Sequence, residues 1–157
     1  MDNSFRTNPH KAAAKIQINN SLLGVCLTMF GFMWAFAPER LSVQVLVQFI
    51  FAVPLLYISN NAYSKIAYWR ETKIWDYFGW LTSTIAIAFV LNIIGILTFL
   101  IGHPQLTVMY FLTTWILLGI YTCVNLYYKR ASKRVLLFKY VFFVLVQLLF
   151  GIGILYV

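Results

Sequence analysis

The segment WRETKIWD, residues 69–76, holds two of the four acidic residues in this chain of 157. Two nearby carboxylates are the simplest equipment for general acid–base work. Glu71 and Asp76 are five positions apart, however, about 140° around a helix, so they do not share a face. Glu71 instead groups with Arg70 and Lys73 as a solvated charge cluster. A lipid-modifying enzyme using Glu71 or Asp76 is therefore the third functional class the sequence supports, and no catalytic residue is assigned.

Other chemistry-bearing residues are sparse. His10 and His103 fall at opposite ends of the candidate spans and cannot share a haem or a metal ion. Cys26 and Cys123 lie within apolar runs at different depths and read as small packing residues. There is no phosphate-binding glycine loop, metalloprotease helix or serine–histidine pairing. The sequence calls for no cofactor and no metal, and its cationic residues read as topology signals rather than a nucleic-acid surface.

The polar groups inside the apolar runs are amides. Gln48, Asn92 and Gln147 lie about 10, 13 and 15 Å from one end of their spans by helical rise. Amides on three helices at similar depth predict a hydrogen-bonded layer within a bundle. The same layer could line a polar path, which makes a transporter or channel subunit the alternative reading. Thr84, Ala88, Asn92 and Gly95 form a small and polar stripe at helical spacing, and Gly24, Thr28, Gly31 and Ala35 form another. Such stripes permit close approach of helices.

The elements that must position these residues follow from composition. The chain is 62% apolar and 10% charged, whereas soluble domains carry about 25% charged residues. Apolar runs at about 18–37, 41–59, 77–101, 106–128 and 136–157 each reach about 29–37 Å as helices, enough to cross a bilayer. The expected fold class is all-α: a polytopic membrane protein, a single bundle of five transmembrane helices at 18–157 behind a basic leader, 1–17. Ala35-Phe36-Ala37 resembles a signal-peptide cleavage site, but Pro38 and the long apolar run argue for a retained first span.

Eleven of the twelve Lys and Arg residues fall in the leader, between spans two and three, or around the junction of spans four and five. Arg40 alone falls on the other side. This bias predicts a cytoplasmic N-terminus and a non-cytoplasmic C-terminus, in an inner or plasma membrane. Lys129, Arg130, Lys133 and Arg134 crowd one turn and are candidate contacts for anionic lipid headgroups. Trp69, Trp75 and Trp80 suit the headgroup level as interfacial anchors. Residues 57–70 and 121–134 coincide at six positions at an offset of 64, as do Leu27 with Leu91 and Gly31 with Gly95. Shared interfacial preferences explain that echo better than a duplicated hairpin, which would need more identity than this. The leading expectation is a small non-enzymatic membrane protein: membrane organisation, lipid contact, or an accessory subunit. Its partners would be membrane lipids and either a second membrane protein or further copies of the chain.

Overall fold

The computed structural model describes residues 8–68, 73–128 and 133–156. Trp69, Glu71, Lys129 and Arg130 lie outside the described residues. Five helices are long and apolar enough to cross a membrane. Four are α1 (Pro9–Phe36), α2 (Val43–Tyr68), α3 (Lys73–Leu100) and α4 (Pro104–Tyr128); the fifth, Lys133–Leu155, is made of α5 (Lys133–Gln147) with the turns that follow it. A π turn, Leu148–Ile152, and a 3-10 turn, Gly153–Tyr156, continue α5. No strand occurs among the described residues.

Local chemistry sets the helix ends. Asn8 caps α1 by accepting a hydrogen bond from the Lys11 amide at 2.8 Å, and Pro9 stands at the first helical position, where its missing N–H is no loss. α1 thus begins nine residues before the apolar run that starts at Ile18. At the other end of the bundle Gly102, with φ of 92°, closes α3. The His103 amide bonds Thr98 O and the Gly102 amide bonds Phe99 O, the paired capping bonds that a left-handed glycine permits. Arg40 reaches across to donate to Leu100 O at 3.3 Å. Pro54 lies inside α2 and withholds one amide from the helical ladder, yet the helix runs through it.

Successive helices run antiparallel, as their bonded pairs show. Asn19 meets Ser59, Gln48 meets Asn92, Tyr110 meets Leu91, and Trp115 meets Gln147. α3 is central and touches each of the other four helices. The main core joins Cys26 and Met33 of α1, Val45, Phe49, Ala52 and Leu56 of α2, and Ala86, Phe89, Ile93 and Ile96 of α3. A smaller cluster of Ala88, Phe143 and Val146 joins α3 to α5.

Candidate functional site

The interface of α1, α2 and α3 is closed by polar side chains near the ends of the original spans. Lys15 Nζ lies 3.3 Å from Asp76 Oδ1 and 4.5 Å from the centre of the Tyr63 ring. The Asp76 side chain is 3% exposed and that of Lys15 36%. Asp76 stands in the first turn of α3, where the helix dipole favours a carboxylate. Gly79 makes room for Tyr63: a Cβ there would lie 3.0 Å from the ring. One turn deeper, Asn19 donates to Ser59 Oγ at 3.0 Å and accepts from Ser83 Oγ at 3.1 Å. Ser59 Oγ donates in turn to Gly79 O at 2.9 Å. Three helices are thereby cross-linked by buried polar groups.

Sequence reasoning did not single out Lys15 and Tyr63 as neighbours of Asp76, or the bonds among Asn19, Ser59 and Ser83. The signal was present as helical spacing. Lys15 and Asn19, Ser59 and Tyr63, and Asp76, Gly79 and Ser83 each lie on one helix face. The spans drawn from hydropathy began or ended beside these residues, so they fell into the interfacial margins. Trp75 packs half-buried against Ala12, Tyr63 and Ile66 in the same region.

Gln48 and Asn92 are brought together, whereas Gln147 takes another partner. Gln48 Nε2 donates to Phe150 O at 2.8 Å, which turns Oε1 toward Asn92. Asn92 Nδ2 donates to that oxygen at 3.2 Å. Turned over, the Asn92 amide would instead donate to Ala88 O and accept from Gly151 N. The first orientation keeps the bond to Gln48 and sets Asn92 Oδ1 against Ala88 O; the second satisfies Ala88 O and Gly151 N and sets the two amide oxygens together. Gln147 Oε1 accepts from the Trp115 indole at 2.8 Å, and its Nε2 has no hydrogen-bond partner among the described residues. The π turn swings the backbone of Phe150 and Gly151 onto the amide pair. Phe111 fills the gap between helices, and a Cβ at Gly95 would fall 2.5 Å from its ring. A Cβ at Gly151 would lie 3.0 Å from the same ring and 2.6 Å from Asn92 Oδ1.

On the other side of α3 the bundle is open. A groove of about 540 Å³ runs between α3, α4 and α5. Its walls are apolar for most of their length, with Leu91, Leu117, Leu118 and Phe143 among them. From Trp80 to Leu91 on α3 it extends about 17 Å by helical rise. Three of the hydroxyls in the walls are turned to backbone: Thr114 donates to Tyr110 O, Thr122 to Leu118 O, and Tyr140 to Trp115 O. Its mouth is the polar end, where Lys139 lies 5.0 Å from the centre of the Trp80 ring and Asn125 stands opposite. Trp80 also meets Phe138 and Phe142 of α5. Lys133 and Arg134 are exposed at the start of α5, at the same end of the bundle.

The two small-residue stripes have different surroundings. Ala88, Asn92 and Gly95 of α3 are buried, whereas Gly24, Thr28, Gly31 and Ala35 of α1 are all exposed. No side chain of another element approaches Gly24 or Gly31 within 4 Å of a Cβ position. Comparison with protein-family profiles, curated protein sequences and solved structures returned no match to this chain.

Proposed function

We propose that the chain is a non-enzymatic five-span membrane protein that engages anionic lipid at its basic end, with the N-terminus cytoplasmic. One observation carries this reading: charge is segregated along the bundle. Lys11, Lys15, Lys65, Lys73, Lys133, Arg134 and Lys139 belong to the end where α1, α3 and α5 begin, and Arg40 belongs to the other. Segregation of this kind orients a chain in a bilayer, and cations at the surface attract anionic headgroups.

The other two readings find less support. Asp76 is buried beside Lys15, so a headgroup could not reach it without displacing that pair. A polar path needs groups that face a solute, but Gln48 uses both ends of its amide on Phe150 and Asn92.

Two measurements test the proposal. A reporter active only in the cytoplasm should give signal when inserted at residues 131–132 and be silent when fused after Val157; a signal from the C-terminal fusion would remove a span. In nanodiscs, binding of anionic lipid should weaken as salt rises. Replacing Lys133 and Arg134 together by Gln should weaken it further, by about 1 kcal/mol for each charge removed. Unchanged binding with correct topology would leave these residues as orientation signals alone.

A further inference from the structure

The groove between α3, α4 and α5 has a length, a polarity and a direction that together describe one occupant. Its depth of about 17 Å matches one leaflet, half of a hydrocarbon core of roughly 30 Å. Its volume of about 540 Å³ lies in the range of ligand pockets, roughly 300–1,000 Å³. The deep end has no charged residue in its lining, and the Thr114 and Tyr140 hydroxyls there are bonded to backbone carbonyls. Charge enters only at the mouth, through Lys139.

The direction comes from α5. Leu136, Lys139, Tyr140 and Phe143 all line the groove, and Lys133 shares their helical face one turn nearer the mouth. Side chains on a helix lean toward its N-terminus, so Lys139 and Lys133 both lean toward the basic end. A long cationic chain in that position lays its methylenes on apolar surface and presents its ammonium at headgroup level.

We propose that this groove holds one acyl chain of an anionic phospholipid, drawn from the leaflet at the basic end, with the headgroup held at Lys139. The chain lies along Leu91, Leu118 and Phe143, and the phosphate meets the lysine beside the Trp80 ring. This deepens the reading above, and rests on it, by naming which surface retains lipid and which part of the lipid is recognised.

Native mass spectrometry of the detergent-solubilised protein tests it, with phosphatidylglycerol and phosphatidylcholine of identical chains as probes. The full-length wild-type protein should retain one phosphatidylglycerol per chain in preference to phosphatidylcholine. Lys139→Gln should weaken phosphatidylglycerol about fivefold, equivalent to roughly 1 kcal/mol for one surface charge, and leave phosphatidylcholine unchanged. Thr114→Trp, which fills the deep end, and Thr122→Phe, which narrows the α4 wall nearer the mouth, should each abolish retention. Should either filled variant fail to fold, Lys139→Gln decides, since it changes charge without filling space.

A folded Thr114→Trp protein that keeps its lipid would overturn the groove assignment, as would equal retention of the two headgroups or full affinity in Lys139→Gln. If the Lys133→Gln and Arg134→Gln pair weakens anionic lipid while the groove variants do not, the basic-end reading stands and the groove proposal fails. If no variant changes retention, both fail.

Discussion

Thr28 and Gly31 on α1 stand 64 positions before Asn92 and Gly95 on α3, each pair in a stripe of helical spacing, yet their surroundings differ. The α3 stripe is covered: Phe111 lies over Gly95, and Gly151 over Asn92. Among the described residues nothing covers Gly24 or Gly31 on α1, and Thr28 and Ala35 are exposed. A duplicated hairpin would treat the two alike. Part of the difference is α5, which runs parallel to α3 and folds its π turn over Asn92; the rest is Phe111 of α4 over Gly95, where the residue 64 positions earlier is Val47 and Gly31 stays open. The internal echo in the sequence therefore does not extend to the packing of these two stripes.

A second contrast lies across α3 itself. Toward α1 and α2 it is joined by bonds among Lys15, Asn19, Ser59, Asp76 and Ser83. Toward α4 and α5, Thr107 and Phe111 of α4 hold one end together, and the other end opens into the groove. Lipid tails are as apolar as leucine, so burial of apolar surface does little to hold helices together in a bilayer. Shape and internal hydrogen bonds decide which faces close. Both are abundant on the α1–α2 side and confined to one end on the other.

The largest effect expected from breaking this arrangement is at Phe111. Phe111→Ala should destabilise the folded bundle by about 3 kcal/mol, the low end of the range for such truncations, because the unfolded helices stay in lipid. Gly95→Ala should cost about 1–3 kcal/mol alone, as overpacking does, and almost nothing when Phe111 is already Ala. Denaturation by SDS, followed by circular dichroism, measures both. Equal penalties for Gly95→Ala in the two backgrounds would show that the ring is not what occupies that space.

The Lys15–Asp76 pair should respond asymmetrically. Lys15→Met removes the ammonium partner of a buried carboxylate and should cost about 1–3 kcal/mol. Asp76→Asn leaves a lysine that is 36% exposed and can turn to water, so its penalty should be smaller. The same unfolding assay reads the order, and a larger loss in Asp76→Asn would mean that the carboxylate matters through other contacts.

The amide residues give smaller and more discriminating effects. Gln48→Leu and Asn92→Leu should be non-additive, with a coupling of about 0.5–2 kcal/mol. Gln147→Leu should couple with Trp115→Phe and not with Gln48→Leu, since its bond is to the indole. Strict additivity between Gln48 and Asn92 would remove the bond that joins α2 to α3 at that depth.

Much of this architecture was legible before the structure. Apolar runs of sufficient length gave five helices, and the placement of Lys and Arg marked which ends share a side. Helix bounds were less so: α1 starts at Pro9 and α2 continues to Tyr68, both beyond their apolar runs. Asn8-Pro9 is a start signal that hydropathy does not register. The Lys15–Asp76 and Asn19–Ser59–Ser83 contacts depend on which helix neighbours which and at what register, and residue spacing within one helix does not encode either. The same holds for Gln147, whose depth matched that of Asn92 while its rotation about α5 turned it to Trp115. The groove lies between α3, α4 and α5, a property of three helices together.

The central claim is that α3 is sealed on one side by polar contacts and open on the other to a lipid chain. Photo-crosslinking tests it directly, using phosphatidylglycerol with a diazirine midway along one chain and mapping adducts by mass spectrometry in nanodiscs. The account requires adducts concentrated at groove residues such as Leu91, Leu118 and Phe143, above those on the exposed α1 face at Leu27 and Gly31. Asn19, Leu56 and Ala86 in the sealed interface should remain unlabelled, and Lys139→Gln should bring the groove down to the level of the α1 face. Equal labelling of the groove and the α1 face in the wild-type protein, or adducts within the sealed interface, would contradict it.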